Sequence, residues 1–384
     1  MTITFSGRGA DFAAGQGQFK NRIAYAAAPV TADQHAENIP GAPAALDWDA
    51  TLRFRHHLWS HGFGVAEAMD TAQRGAGLDY PATRELIRRS AAEARSAGGG
   101  TGAGGTGAGG TGAGGAIVAG VGTDQLPTGP STIDDIRKAY AEQLNDVQEA
   151  GAQPVIMCSR HLAAAAAGAD DYRRVYGELL AQADGKVLLH WLGEAFDPAL
   201  AGYWGGDDVV LEIIEEHAAN VEGIKISLLD AGREIDMRRR LPAGVRMYTG
   251  DDFNYPELIK GDDRGHSEAL LGVLAVIAPP AAAALRALDA GDLAAYDRIL
   301  DPTLPLARHL FAAPTYHYKT GIVFLNWLAG HQDHLTMVAG AQAGRSPRHL
   351  LTLMRLADEA GILPDADLAT ARARAWLLTV GLDR

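Results

Sequence analysis

A chain of 384 residues, 47% of them hydrophobic, is long enough for one large core with an added subdomain and has the composition of an ordinary globular protein. Its 34 lysines and arginines against 47 aspartates and glutamates give a net charge of −13, which argues against nucleic acid or an anionic membrane surface as the main partner. The single cysteine, Cys158, excludes an intrachain disulfide and fits a reducing, cytoplasmic compartment.

Residues 1–20 lack the apolar core of a signal peptide. From there on, short apolar runs alternate with helical patterns. Strands are expected near 23–28, 64–69, 116–122, 153–158, 186–191, 221–227, 245–249 and 269–273. Helices are expected over 47–60, 82–96, 131–150, 170–183, 207–220 and 230–240, with Ser131 and Asp207 as candidate caps. Eight strands alternating with helices predict a (β/α)8 TIM barrel, an α/β fold, over 21–290. The longest apolar stretch, 269–285, is interrupted by Gly272 and Pro279-Pro280 and is too broken for a membrane span. Beyond it the patterns at 292–310, 320–330, 347–360 and 365–379 are helical, predicting a C-terminal extension over 291–384 packed on the barrel and available for homo-oligomer contacts. Between the second helix and third strand, 98–115 holds three copies of Thr-Gly-Ala-Gly-Gly. It follows a helix and precedes a strand, the reverse of a phosphate-binding turn, and is expected to be a flexible linker.

In such a barrel the chemistry belongs at the C-terminal ends of the strands. Those positions carry Glu67, Asp70 and Thr71 after the second strand, His190 at the end of the fifth, Lys225 and Ser227 in the sixth, Asp251 and Asp252 after the seventh, and Glu268 near the eighth. Lys225 stands out because it interrupts the apolar run Val221-Glu-Gly-Ile-Lys-Ile-Ser. A buried ammonium tends to give up its proton, and the neutral amine can attack a carbonyl and form a Schiff base. Two histidine pairs also stand close in sequence. His57 and His61 have the i,i+4 spacing of a helical metal pair but fall away from the barrel mouth, and His331 and His334 lie at a helix end where cations favour the dipole.

Val221-Glu-Gly-Ile-Lys-Ile-Ser, followed by a helix and then Tyr248-Thr-Gly-Asp-Asp-Phe, resembles the dihydrodipicolinate synthase and N-acetylneuraminate lyase superfamily. The likeness covers most of 20–340. It implies that Lys225 is the Schiff-base lysine. Two departures stand beside it. The superfamily's threonine pair after the second strand, which holds the carboxylate of a 2-oxo acid, is here Ala68-Met-Asp-Thr-Ala-Gln73, where Thr71 alone matches and Asp70 repels a carboxylate. The proton-relaying tyrosine at the end of the fifth strand is replaced by His190, itself able to move protons.

The expectation is therefore a lyase or aldolase acting on a small carbonyl compound, sugar-derived, by C–C or C–O cleavage or formation. Lys225 is its nucleophile and His190 its acid/base. Asp70, Thr71, Asp251, Asp252 and Glu67 bind substrate, and neither metal nor organic cofactor is needed. One alternative is a metal-dependent sugar isomerase, epimerase or lyase using Glu67, Asp70, His190, Asp251 and Glu268. The other is a barrel that binds a ligand without catalysis.

Overall fold

The computed structural model describes residues 4–12, 18–97 and 115–382. All but the last residue of the glycine-rich segment 98–115 lies outside the described residues.

Eight parallel strands close into a barrel in chain order: β1 (Ala24–Ala27), β2 (Gly64–Glu67), β3 (Ile117–Val121), β4 (Gln153–Met157), β5 (Val187–Leu192), β6 (Val221–Ser227), β7 (Arg246–Thr249) and β8 (Glu268–Leu271). Both strand faces are apolar because both are covered. Ala66, Val118, Val155, Leu188, Tyr248 and Leu270 fill the interior. Their alternates Ala119, Ile156, Leu189, Ile224 and Met247 pack outward against helices. The eighth strand begins one residue earlier and ends two earlier than expected, because Gly272 and Val273 turn off the sheet into the next helix.

The surrounding helices are α1 (Trp48–Ser60), α2 (Tyr80–Ala97), α3 (Ile133–Ala150), α4 (Arg160–Ala165), α5 (Ala169–Gln182), α6 (Asp207–Glu216), α7 (Ala231–Arg238), α8 (Tyr255–Lys260) and α9 (Leu274–Asp289). Asp47 caps α1 by accepting from the Ala50 N–H at 2.9 Å. Thr132 caps α3, one residue after the expected Ser131. Helix α9 runs through the stretch whose prolines had marked a break. It is kinked at Ile277, whose backbone (φ −106°, ψ 18°) is not helical, so Pro279 and Pro280 stand in the opening turn of the second piece, where a missing N–H costs little.

The C-terminal layer comprises α10 (Leu293–Leu300), α11 (Leu304–Leu310), α12 (Tyr318–Leu328), α13 (Pro347–Glu359) and α14 (Ala366–Thr379). The pattern at 292–310 becomes two helices because Pro302 forces a 3-10 turn, Asp301–Thr303, between them. Every residue of α12 is buried. Leu310, Ile322, Phe324, Leu325, Leu353 and Leu377 belong to the same apolar cluster as Ala24, Ala26, Ala269 and Leu271 of β1 and β8. The layer thus shares a core with one side of the barrel. Among the described residues no helix is long and apolar enough to cross a membrane.

One buried acid gives the fold a pH dependence. Glu234 on α7 accepts from Ser267 Oγ at 2.7 Å and Thr249 Oγ1 at 3.0 Å. Burial pushes its carboxyl up to about 8. The folded chain therefore keeps a proton that the unfolded chain releases above the ordinary glutamate value. The associated stability is whole under acid conditions and drains away as pH rises toward 8. Glu234→Gln, which cannot ionise, should be more stable than the parent by roughly 2–3 kcal/mol at pH 8 and should lose that advantage by pH 5. Urea unfolding at the two pH values measures the difference; an equal offset at both would refute the assignment.

Candidate active site

Lys225 projects into the barrel near the C-terminal end of β6, level with His190 of β5 and Tyr248 of β7. Two glycines make room for it and its strand. A Cβ on Gly223 would lie 2.7 Å from the Tyr248 ring, and a Cβ on Gly250 would lie 2.6 Å from Lys225 Cε and closer still to Ser227 Oγ. The glycines of Gly-Ile-Lys and Gly-Asp-Asp are thus set by close approach.

Lys225 is only 7% exposed, and among the described residues it makes no hydrogen bond and no ion pair. Burial pushes its ammonium down to about 8, while the charges of Asp252 and Asp70 act in the opposite direction. Such an amine is neutral in a useful fraction of molecules near pH 8 and is not tied to a partner it would have to leave. Asp252 is 3% exposed and accepts from the Val273 N–H at 2.8 Å; burial raises its carboxyl well above the ordinary range. Burial thus works against both charged forms, the ammonium and the carboxylate.

His190 Nε2 lies 3.2 Å from Ser227 Oγ, and its Nδ1 is buried without a partner among the described residues. Burial first, and then the charge of Lys225, lower its pKa far below the ordinary value. His190 is consequently held as a neutral hydrogen-bonding group.

The opposite side of the mouth comes from the turn after β2 and from the C-terminal layer. Thr71 Oγ1 and Tyr318 Oη are 2.8 Å apart. Asp70 Oδ2 pairs with Lys319 Nζ at 2.9 Å. Tyr318 stacks on Phe311, with centroids 4.4 Å apart, and Phe196 meets both rings edge-on. Tyr318 and Lys319 were not singled out as site residues from sequence. The available signal was a Tyr-Lys-Thr head on α12, whose remainder is apolar but for Asn326.

Three expected site residues lie elsewhere. Glu67 faces outward from β2, where Arg55 of α1 donates to both its oxygens at 2.8 and 2.9 Å and Ser90 of α2 donates at 2.8 Å; it binds the barrel to its helices and not a substrate. Asp251 spends its oxygens on the turn after β7, accepting from the backbone of Phe253 and Asn254 and from Asn254 Nδ2. Glu268 is at the opposite end of the barrel, accepting from the Ile23 N–H at 2.6 Å. The five side chains of the metal-centred alternative are thereby scattered over four places. His57 packs against His61 and, from the C-terminal layer, His331, with ring centroids 4.8 and 4.1 Å apart. Burial lowers His57 to about 3 and His331 to about 4. These are neutral packing rings, and among the described residues no group of three or more potential ligands is arranged to hold a metal ion. Cys158 donates to the His190 carbonyl at 3.3 Å, and burial pushes its thiol up.

A family model described as "Protein of unknown function (DUF993)" matches residues 3–382. The chain belongs to that family. No curated protein matches it. Among solved structures it is similar to dihydrodipicolinate synthase from Aquifex aeolicus (13% identity, TM-score 0.67, covering 91% of this chain and 99% of that one). It is also similar to the 4-hydroxy-tetrahydrodipicolinate synthase of Methylacidiphilum fumariolicum SolV (16%, TM-score 0.65, 93% and 99%). A third is dihydrodipicolinate synthase from Bacillus anthracis (14%, TM-score 0.63, 88% and 98%). At these identities the likeness is one of fold, a (β/α)8 barrel followed by C-terminal helices, and it extends over nearly the whole of each synthase.

Proposed function

We propose that this DUF993 protein is a class I lyase or aldolase that forms a Schiff base between Lys225 and a small carbonyl compound. The observation that carries the reading is the state of Lys225: an inward-facing, buried amine without a hydrogen bond or ion pair among the described residues, whose proton burial makes easier to lose, in the field of the buried Asp252 carboxyl. The fold held in common with the dihydrodipicolinate synthases supports it, as does the Gly-Ile-Lys segment on the same strand.

The chemistry balances with these two groups. Neutral Lys225 adds to the carbonyl carbon, and one of its protons passes to the new alkoxide, giving a carbinolamine. Protonated Asp252 delivers a proton to the hydroxyl, the C–O bond breaks, water leaves, and the nitrogen lone pair closes the C=N bond. The product is an iminium facing the Asp252 carboxylate. In C–C cleavage the Asp252 carboxylate takes the proton of the beta hydroxyl, a carbonyl forms on the departing carbon, and the electrons of the broken bond run into the iminium to give an enamine. In C–O cleavage the carboxylate takes the alpha proton to give an enamine, whose electrons expel the beta oxygen, which leaves as water with the proton returned by Asp252. His190 and Ser227 offer hydrogen bonds to substrate oxygens. A sugar-derived ketone or aldehyde is the substrate class that such hydroxyl-binding groups favour.

The test is borohydride trapping. The full chain, incubated with dihydroxyacetone, glyceraldehyde or pyruvate and then reduced, should yield a secondary amine that peptide mapping locates at Lys225. Absence of an adduct at Lys225 with every probe, or modification spread over surface lysines, would sink the proposal.

A further inference from the structure

We infer that Asp70 fills, from within the chain, the place at which a substrate carboxylate would be received. The Lys225 site then takes neutral hydroxylated aldehydes and ketones and turns away compounds with a carboxylate beside the carbonyl. This rests on the Schiff-base reading of Lys225.

The argument starts from Lys319, the second ammonium at the mouth. Its Nζ pairs with Asp70 Oδ2 at 2.9 Å, donates to the Tyr316 carbonyl at 3.0 Å, and lies 4.8 Å from the centre of the Tyr318 ring. The Lys319 and Asp70 side chains are 7% and 22% exposed, so the pair is largely shielded from water and screening by salt is weak. An incoming carboxylate would have to displace Asp70 to reach this ammonium. The neighbouring hydroxyl is also engaged, since Thr71 Oγ1 is held by Tyr318 Oη at 2.8 Å.

Charge points the same way. Both Asp252 and Asp70 act on Lys225, so an iminium formed there already faces two carboxyl groups. With Asp70 paired to Lys319 and the iminium facing Asp252, both cations are already matched, so a substrate carboxylate would bring a buried charge with no counter-ion left for it, which costs affinity steeply. A hydroxyl carries no such cost. The polar atoms left over suit it: His190 Nδ1, on a side chain 2% exposed, has no partner among the described residues, and Ser227 Oγ lies on the other nitrogen of the same ring. A hydroxyl both donates and accepts and so matches a neutral imidazole.

Two probes decide the matter, dihydroxyacetone and pyruvate. The rate at which borohydride fixes each on Lys225 is divided by its rate with N-acetyl-lysine, which removes intrinsic reactivity. The parent protein should favour dihydroxyacetone. Asp70→Asn frees Lys319 to receive a carboxylate and should raise the pyruvate-to-dihydroxyacetone ratio by about tenfold or more. Adding Lys319→Met to Asp70→Asn should return the ratio to the parent level, which a merely structural role for Asp70 would not do. Should Asp70→Asn fail to fold, Asp70→Ser carries the same expectation. A parent preference for pyruvate, or a folded Asp70 variant with an unchanged ratio, overturns the inference and leaves the Schiff base standing. Absence of any Lys225 adduct overturns both.

Discussion

Lys225→Ala should abolish the borohydride adduct and lower turnover by about a thousandfold or more, while leaving the fold as stable as before. The two halves of that expectation have separate causes. On the proposed mechanism activity depends on this amine, because Lys319, the other ammonium at the mouth, is held by Asp70, and His190, held neutral by burial, has no primary amine with which to form a Schiff base. Stability does not depend on it, because the side chain makes no hydrogen bond or ion pair among the described residues and its burial is itself unfavourable to the charged form. Lys225→Arg should be equally inactive, since a guanidinium does not lose its proton in this range. Turnover of trapped probes, peptide mapping and urea unfolding measure the three consequences. An active Lys225→Ala enzyme would remove the Schiff base from consideration.

The largest effect on stability should come from Glu67→Ala. Glu67 and Arg55 are both completely buried, and the pair is bidentate; Arg55 also donates to the carbonyls of Pro29 and Thr51. Removing the carboxylate leaves a guanidinium in the core with only carbonyl dipoles around it, a loss of about 3–5 kcal/mol. Replacing both partners by apolar residues of similar volume, as in Arg55→Met with Glu67→Leu, should cost much less than either single change, because no orphaned charge remains. Urea denaturation of the single and double variants gives the cycle. A single-variant loss under about 1 kcal/mol would mean that the cavity admits water to the guanidinium.

The contrast between Glu67 and Lys225 shows what the sequence could and could not reveal. Lys225 was legible because a charge inside Val221–Ser227 has few ways to be tolerated, and because Gly223 and Gly250 mark the close approaches around it. Glu67 ends a strand, Gly64–Glu67, in which every residue is buried, so alternation could not tell inside from outside. Its partner Arg55 reads as an ordinary helical cation until α1 is laid on the barrel. Asp251 and Asp252 are adjacent and chemically alike. Only the turn after β7 separates them, giving Asp251 to the amides of that turn and Asp252 to the Val273 N–H, from where its charge acts on Lys225. Tyr318 and Lys319 were out of reach for a different reason: α12 follows the barrel by more than forty residues, and no local pattern says that its first turn enters the mouth.

That entry of α12 separates two properties usually built into the same strands. In the proposed mechanism the covalent step is assigned to β6, while the ion pair proposed to sort substrates by charge is half supplied by a helix of the outer layer. Retargeting the barrel therefore becomes a matter of exchanging the first turn of α12 together with the turn after β2, with the catalytic strands left as they are.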